Sequence, residues 1–277
     1  TSANSINIGR LVPQIVYYVS AYVDMVGQGY IRMGDPIDVC VPSGNFGNLL
    51  AAYYATRLGV PIARLLCASN TNRVLADILT TGKYEISERK LVRTVSPSMD
   101  ILVSSNLERL LYELTGNGLQ VRDWMTGLGE NGSFVLDEVT FARMRREFIG
   151  DWVDDETCLA TIGSVYGELG YLVDPHTAVA WEVADRHAGM QPMLVVSPAH
   201  WSKFPADVVR GLSGLRPGES LPGDELDWLA RVGDLAPGHP VPEAIADACS
   251  RPVRFSGQVK GDPRALEQGI RDWLESA

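Results

Sequence analysis

Residues 39–54 read VCVPSGNFGNLLAAYY, the most informative segment of the sequence for the architecture. An apolar, β-rich run that we place at Ile37–Val41 leads through a turn with two glycines into a helix predicted over Leu49–Arg57. The N-terminus of a helix offers unpaired backbone N–H groups and a positive partial charge, so it binds anions without lysine or arginine. Gly44 and Gly47 lack a Cβ where the backbone must approach an anion closely or adopt positive φ. The stretch therefore predicts a phosphate-binding loop.

Two asparagines strengthen this interpretation, because Asn45 and Asn48 can each supply amide donors. The spacing alone has another explanation, a tight turn that ends in a glycine cap. It does not match the nucleotide P-loop, since no Lys-Ser or Lys-Thr pair follows the second glycine. It also lacks the three-glycine dinucleotide fingerprint.

Strands and helices alternate on both sides of the loop. After the first pair, Ile62–Cys67 reads as a buried strand and Asn72–Leu79 as a helix, which implies a parallel sheet with crossover helices. An amphipathic helix over residues 8–26 precedes them. Later segments with the same character are helices at Asp154–Leu169, Thr177–His187 and Ser202–Gly211, and a strand at Met193–Val196.

This pattern predicts an α/β fold with a parallel sheet flanked by helices. We expect residues 1–214 to form its main part, with a mostly helical insertion at about 84–150. Within the insertion, Leu107–Leu114 and Leu136–Phe148 read as helices. Residues 215–277, rich in Pro and Gly, are expected to form a peripheral tail with helices near 242–249 and 263–275.

Composition excludes several classes of function. The 277 residues carry a formal net charge of −10 and no long run of Lys and Arg, which argues against a nucleic-acid surface. No stretch approaches the roughly 20 apolar residues that span a bilayer, and no leader is recognisable, so we expect a cytoplasmic protein. The four cysteines and four histidines lack metal-ligand spacing, so no metal site is expected.

A second polar group opens the first helix, where Asn4, Ser5 and Asn7 precede Arg10. Three short polar side chains and a guanidinium at a helix N-terminus suit a second oxyanion, such as a substrate phosphate. A helix cap beside a surface arginine is the other interpretation.

Five separated motifs, in order, closely resemble threonine synthase over roughly residues 2–210. They are SANSINIGRLVPQIVYY at 2–18, VPSGNFGNLLAAYYA at 41–55, CASNTN at 67–72, SPSMDILVSSNLERLLYEL at 96–114 and DPHTAVA at 174–180. Threonine synthase is a fold-type-II pyridoxal-phosphate (PLP) enzyme related in architecture to the tryptophan synthase β chain. The family is a phosphate-releasing lyase of threonine biosynthesis that converts O-phosphohomoserine and water to threonine and phosphate.

The resemblance implies a role for each of the two polar groups. It implies that the cofactor phosphate is cradled by five consecutive residues: Gly44, Asn45, Phe46, Gly47 and Asn48. It also implies that Asn4, Ser5 and Arg10, with Asn7 as a secondary candidate, hold the substrate phosphate.

The chain departs from the family pattern in two places. The family's Schiff-base lysine belongs to a portion that precedes the SANSIN motif, and none of Lys83, Lys90, Lys203 and Lys260 lies in the family's lysine motif. Lys203 matches a position near the edge of the cofactor ring, or is a solvated lysine. Where the family has Ser-Thr after the last core strand, this chain has Ser197-Pro198. Ser197 would then contact the pyridine nitrogen and, as a neutral hydroxyl, leave it unprotonated.

We therefore interpret the sequence as the C-terminal portion of a threonine synthase that is inactive as an isolated chain. Its expected partners are a phosphorylated amino acid and the missing N-terminal half, on the same polypeptide or a separate one. A fragment explains the start at SANSIN better than a split subunit or a pseudoenzyme, because that motif-rich run is a poor place for a natural boundary. Two other functions stay open: a non-catalytic phosphate- or PLP-binding module, and another β-replacement enzyme acting on a phosphorylated amino acid.

Overall fold

A computed structural model describes residues 4–252 and 257–276 of the chain. It divides into two compact units, with the boundary in the sequence between Pro240 and Val241. The strands, all in the larger unit, are β1 (Ile37–Pro42), β2 (Ile62–Ser69), β3 (Lys83–Glu85), β4 (Ser133–Val135), β5 (Phe148–Trp152) and β6 (Met193–Val195). The helices of that unit are α1 (Ile8–Gly27), α2 (Gly47–Arg57), α3 (Val74–Thr81), α4 (Leu107–Thr115), α5 (Gly118–Asn131), α6 (Glu138–Glu147), α7 (Asp155–Leu169), α8 (Pro175–Arg186), α9 (Pro205–Ser213) and α10 (Glu225–Leu235). The smaller unit contains α11 (Glu243–Ser250) and α12 (Pro263–Ser276).

The main sheet has the strand order β5-β2-β1-β6, and all three pairings are parallel. This confirms the predicted α/β class. The strand β1 is buried along its whole length, as expected for a central strand of a parallel sheet that is covered on both faces. Its side chains alternate: Val39 and Val41 join the main core cluster, whereas the thiol of Cys40 donates to the carbonyl of Ala180 on α8.

Helix α1 begins where its sequence predicts. The side chain of Asn7 caps it by accepting a hydrogen bond from the N–H of Gly9 at 2.9 Å. The helix continues through Pro13 to Gly27. Its buried residues Tyr18 and Tyr22 face the core, and the helix packs against α2, which starts at the loop of interest.

The region around 84–150 contains three helices and an antiparallel pair, β3 with β4, in which the rings of Tyr84 and Phe134 stack with centroids 5.4 Å apart. Helix α5 was not predicted, because its glycines read as turns. The helix predicted over Leu136–Phe148 is wrong at its end, since Phe148 opens β5 at the edge of the main sheet. Gly150 makes this possible: a Cβ there would lie 2.8 Å from the Cα of Ala76 on α3.

The two helices predicted near the C-terminus are confirmed as α11 and α12. Helix α10 was not predicted, although Asp224 and Asp227 form a capping box at its start. It lies within the larger compact unit. The predicted organisation into a main part, an insertion and a tail stays a prediction. Among the described residues, no helix is both long enough and apolar enough to cross a membrane, and no cluster of His, Cys, Asp or Glu is placed to hold a metal ion.

Candidate cofactor and substrate site

The predicted phosphate loop lies at the carboxyl end of β1, where the chain turns into α2. Phe46 precedes the helix with φ of 63°, and it is the one non-glycine residue with positive φ in the part of the chain that the structure describes. Its ring is fully buried and packs against Phe148, with centroids 5.6 Å apart. No described side chain caps α2, so the N–H groups of its first turn are available for an external anion.

Of the two reasons predicted for the glycines, positive φ is wrong, and close approach to an anion stays a prediction. Within the described residues, positive φ occurs at other glycines but not at Gly44 or Gly47. A Cβ on Gly44 would lie 3.0 Å from the Cα of Met99, and one on Gly47 would lie 3.3 Å from Nδ2 of Asn106. The glycines therefore let the loop pack closely against residues 99–106, and Phe46 adopts the left-handed conformation instead.

A cavity of about 250 Å³ opens at this loop. It is lined by Ser5, Arg10, Leu11, Gln14, Pro42, Ser43, Gly44, Asn45, Phe46, Gly47, Asn48, Ser98, Met99, His176 and Pro198. The structure thus brings Ser5 and Arg10 together with the whole loop. Five of the predicted site residues, Gly44 to Asn48, lie on one wall.

The side-chain amides of the two asparagines in the loop accept hydrogen bonds from other parts of the fold. The hydroxyl of Tyr18 donates to Oδ1 of Asn48 at 2.7 Å. The backbone N–H and the hydroxyl of Ser105 lie 3.4 and 3.1 Å from Oδ1 of Asn45. Burial raises the pKa of Tyr18 far above its ordinary value, so this hydroxyl stays protonated and can donate.

The predicted substrate group is only partly assembled at the cavity. The hydroxyls of Ser5 and Ser105 lie 2.8 Å apart, and Nδ2 of Asn106 donates to the carbonyl oxygens of Ser5 and Asn45. These bonds hold Ser5 beside the loop. Asn4 and Asn7 are not among the lining residues, and the side chain of Asn7 caps α1. Their predicted role in binding stays a prediction.

Ser98 and His176 are among the lining residues that were not singled out from the sequence. His176, in the first turn of α8, accepts a hydrogen bond at Nε2 from the N–H of Ser98 at 3.1 Å. Its Nδ1 lies 2.9 Å from Oδ1 of the fully buried Asp174. His176 and Asp174 lie in the motif DPHTAVA, and Ser98 lies in SPSMD. Membership of these two motifs was the only feature of the sequence that could have marked them as site residues.

Ser197 lies apart from the cavity lining, which Pro198 reaches instead. The hydroxyl of Ser197 is 3.0 Å from that of Thr177, which in turn donates to Asp174. The ammonium of Lys203 lies 5.7 Å from the ring centroid of Phe204. The predicted contact of Ser197 with the pyridine nitrogen stays a prediction.

The segment that packs against Gly44 is held by a network of buried amides. Nδ2 of Asn70 and Nδ2 of Asn72 both donate to Oδ1 of Asp100 at 2.9 Å. Thr94 adds a hydroxyl donor to the same oxygen at 2.7 Å. The CASNTN motif therefore positions the segment that contributes Ser98 and Met99 to the cavity.

The main sheet is parallel, and the loop after β1 leads into a helix without a side-chain cap, beside a cavity that Arg10 also lines. This is the architecture of fold-type-II pyridoxal-phosphate enzymes. Solved structures agree with this class. Threonine synthase from yeast superposes with a TM-score of 0.80 at 30% identity, over 99% of this chain and 54% of that one. PLP-bound threonine synthase from Brucella melitensis gives a TM-score of 0.72 at 39% identity, over 85% of this chain and 48% of that one.

Curated proteins of similar sequence identify the family. Threonine synthase-like 1 from Macaca fascicularis is 44% identical over 279 residues, covering 100% of this chain and 37% of that protein. Threonine synthase from Pseudomonas aeruginosa is 35% identical over 236 residues, covering 83% of this chain and 48% of that protein. No protein-family model matches the chain. The chain belongs to the threonine synthase family, and it spans less than half the length of these curated relatives.

Proposed function

We propose that this chain supplies the phosphate-binding part of a threonine synthase active site, which converts O-phosphohomoserine and water to threonine and phosphate with PLP. In this proposal Gly44 to Asn48 hold the cofactor phosphate, and Arg10 with Ser5 receives the substrate phosphate. The observation that carries it is the single cavity into which two motifs, separated in sequence, both project.

The residues present fit a phosphate group. The first turn of α2 has no described side-chain cap, and Asn45 and Asn48 line the cavity with amide groups. Arg10, on the same cavity, offers a planar guanidinium that can bond two oxygens of a phosphate. When bound, PLP supplies an electron sink for proton removal next to an amino group. The chain's own residues then anchor, orient and separate the two anionic groups, so that substrate binding energy positions the reacting carbons.

The activity is tested on the complete natural gene product with PLP and O-phosphohomoserine, by following threonine and phosphate together. We expect one phosphate released for each threonine formed. Saturating PLP binding without turnover of this substrate would contradict the proposal.

Arg10→Ala separates the two phosphate sites in the same protein. We expect KM for the phosphorylated substrate to rise at least tenfold, since a charge-assisted bond contributes about 1.5–3 kcal/mol, while the absorbance of bound cofactor is unchanged. An equal loss of cofactor binding and substrate binding would contradict the division into two sites.

A second function has one observation in its favour. Relatives at 42–44% identity that match the whole chain are named threonine synthase-like 1, and this name does not state an activity. A PLP-binding protein without catalysis, or a β-replacement enzyme acting on another phosphorylated amino acid, would keep the same loop. The discriminating substrate is O-phosphoserine, tested beside O-phosphohomoserine.

We further propose that another polypeptide portion, on the same chain or a separate one, completes the site and supplies the lysine. Two features support this proposal. The curated relatives are more than twice as long as this chain, and α1 exposes an aliphatic stripe at spacings of three and four. The stripe consists of Ile8, Val12, Val16, Val19 and Val23, each at least 42% exposed. The cytoplasmic location stays a prediction.

The intact mass of the natural gene product tests whether the remaining portion lies on the same polypeptide or on a separate one. A mass well above 30.2 kDa indicates one longer polypeptide, and a 30.2 kDa product that co-purifies with a second chain indicates a split enzyme. A 30.2 kDa chain that forms threonine by itself would overturn the proposal.

A further inference from the structure

Tyr18 and Ser105 contact the side-chain oxygens of the two asparagines in the loop. An amide can present either its oxygen, which repels an anion, or its NH₂ group, which binds one. The loop itself, Pro42 to Asn48, carries no charged residue. The orientation of these neutral dipoles therefore contributes to phosphate binding, together with the backbone N–H groups that open α2.

For Asn45 the orientation follows from the backbone. The N–H of Ser105 points at the amide at 3.4 Å, and the hydroxyl of Ser105 adds a contact at 3.1 Å. Since a backbone N–H can only donate, the facing atom of Asn45 must be its oxygen. The NH₂ group of Asn45 therefore points away from Ser105 and can donate to another acceptor.

For Asn48 the orientation follows from Tyr18. The distance of 2.7 Å between the tyrosine hydroxyl and the amide is typical of an O–H···O bond and short for an N–H···O bond. The same hydroxyl lies 3.1 Å from the carbonyl of Asn48. Because Tyr18 is fully buried and stays protonated, it acts as a donor to Oδ1.

We propose that Tyr18 and Ser105 are positioning residues that turn the NH₂ groups of Asn48 and Asn45 toward the cofactor phosphate. This inference rests on the proposed function of the loop. Tyr18 lies eight residues after Arg10 on α1, about two helical turns further along the helix. One helix thus presents an arginine to the cavity and orients an amide of the loop.

The test compares Tyr18→Phe with Tyr22→Phe. Tyr22 is a matched control: it is buried on the same helix, and its hydroxyl donates to the carbonyl of Asp35 at 3.0 Å, in a different part of the molecule from the loop. Calorimetric titration with PLP and with pyridoxal separates the phosphate contribution from that of the ring. We expect Tyr18→Phe to weaken PLP binding about fivefold, as one hydrogen bond of about 1 kcal/mol would, and to leave pyridoxal binding unchanged. Tyr22→Phe should leave both affinities unchanged.

Asn48→Asp keeps an acceptor for Tyr18 but replaces the NH₂ group by a second oxygen. We expect at least a tenfold loss of PLP affinity and no further loss when Tyr18→Phe is added, because the two residues act on one contact. If wild type does not prefer PLP over pyridoxal, the proposed function of the loop fails. If wild type shows that preference and Asn48→Asp loses it, but Tyr18→Phe binds like Tyr22→Phe, the positioning role is overturned.

A measurement on the wild-type protein covers the case in which Tyr18→Phe does not fold. Inorganic phosphate is titrated while the side-chain amide signals of Asn45 and Asn48 are followed by ¹⁵N NMR. Both NH₂ signals should shift with the same saturation curve. Saturable phosphate binding that leaves both signals in place would overturn the inference.

Discussion

Nε2 of His176 accepts a hydrogen bond of 3.1 Å from the backbone N–H of Ser98. Because that nitrogen accepts, the ring proton lies on Nδ1, which donates to Asp174. The imidazole therefore connects the first turn of α8 to the segment that contributes Ser98 and Met99 to the cavity. It also contacts the ring of Phe204, with centroids 4.7 Å apart.

His176→Phe tests this connection, since it keeps an aromatic ring against Phe204 and removes both hydrogen bonds. We expect the free energy of unfolding to fall by about 1–3 kcal/mol, the cost of leaving buried polar groups unpaired. Urea denaturation measures it. The control is His187→Phe, at a half-buried histidine paired with Asp151, where a smaller loss is expected. Equal losses at both positions would show that the buried connection contributes nothing special.

At Phe46, we expect substitution by glycine to destabilise the protein less than substitution by alanine. Its ring is buried, so Phe46→Ala should cost about 3–5 kcal/mol of unfolding free energy. Its φ of 63° is unfavourable for any residue with a Cβ. Phe46→Gly loses the same ring but relieves the backbone, so it should be more stable than Phe46→Ala by about 0.5–1 kcal/mol. If alanine proves the more stable of the two in urea denaturation, the left-handed conformation is not present in the protein.

The neighbouring residues Asp154 and Asp155 should respond oppositely to pH. The backbone N–H of Thr157 bonds the carboxylate of Asp154 and lowers its pKa, whereas burial raises the pKa of Asp155. Asp154 thus contributes stability above its unfolded pKa, near 3.9, that is lost as the pH falls through its folded value. For Asp155 the stabilising form is the protonated one, so its contribution is present at low pH and is lost as the pH rises through the folded pKa.

Asp154→Ala and Asp155→Asn, unfolded in urea at several pH values, separate these effects. We expect Asp154→Ala to lower stability at pH 7 by about 0.5–2 kcal/mol, as the loss of a helix cap does. Asp155→Asn should be more favourable relative to wild type at pH 7 than at pH 3.5. A difference of the same size at both pH values for Asp155→Asn would contradict the role assigned to its burial.

Much of the fold follows from local patterns in the sequence. The strand before the predicted phosphate loop, the helix after it and the crossover to Ile62 were predicted because apolar runs, glycines and caps agree there. Phe148–Trp152 was not recognised, since a short strand containing Gly150 and Asp151 has little β character of its own. It is a strand because it pairs with β2 and packs on α3, which are contacts across the fold.

The site was less accessible from sequence than the fold. The loop and Arg10 were predicted, and the structure brings them to one cavity. The orientation of Asn48 depends on Tyr18, 30 residues away, and that of Asn45 on Ser105, 60 residues away. The positive φ at Phe46 went unpredicted because glycine is the residue that usually adopts it. Contacts of this kind are set by tertiary packing, which spacing along the chain does not reveal.

The most direct test of the central claim is a crystal structure of the protein with PLP. We predict that the phosphate oxygens lie about 2.7–3.2 Å from the N–H groups that open α2 and from Nδ2 of Asn45 and Asn48. A structure in which the phosphate binds elsewhere, with none of its oxygens within hydrogen-bond distance of these N–H groups, would contradict this assignment.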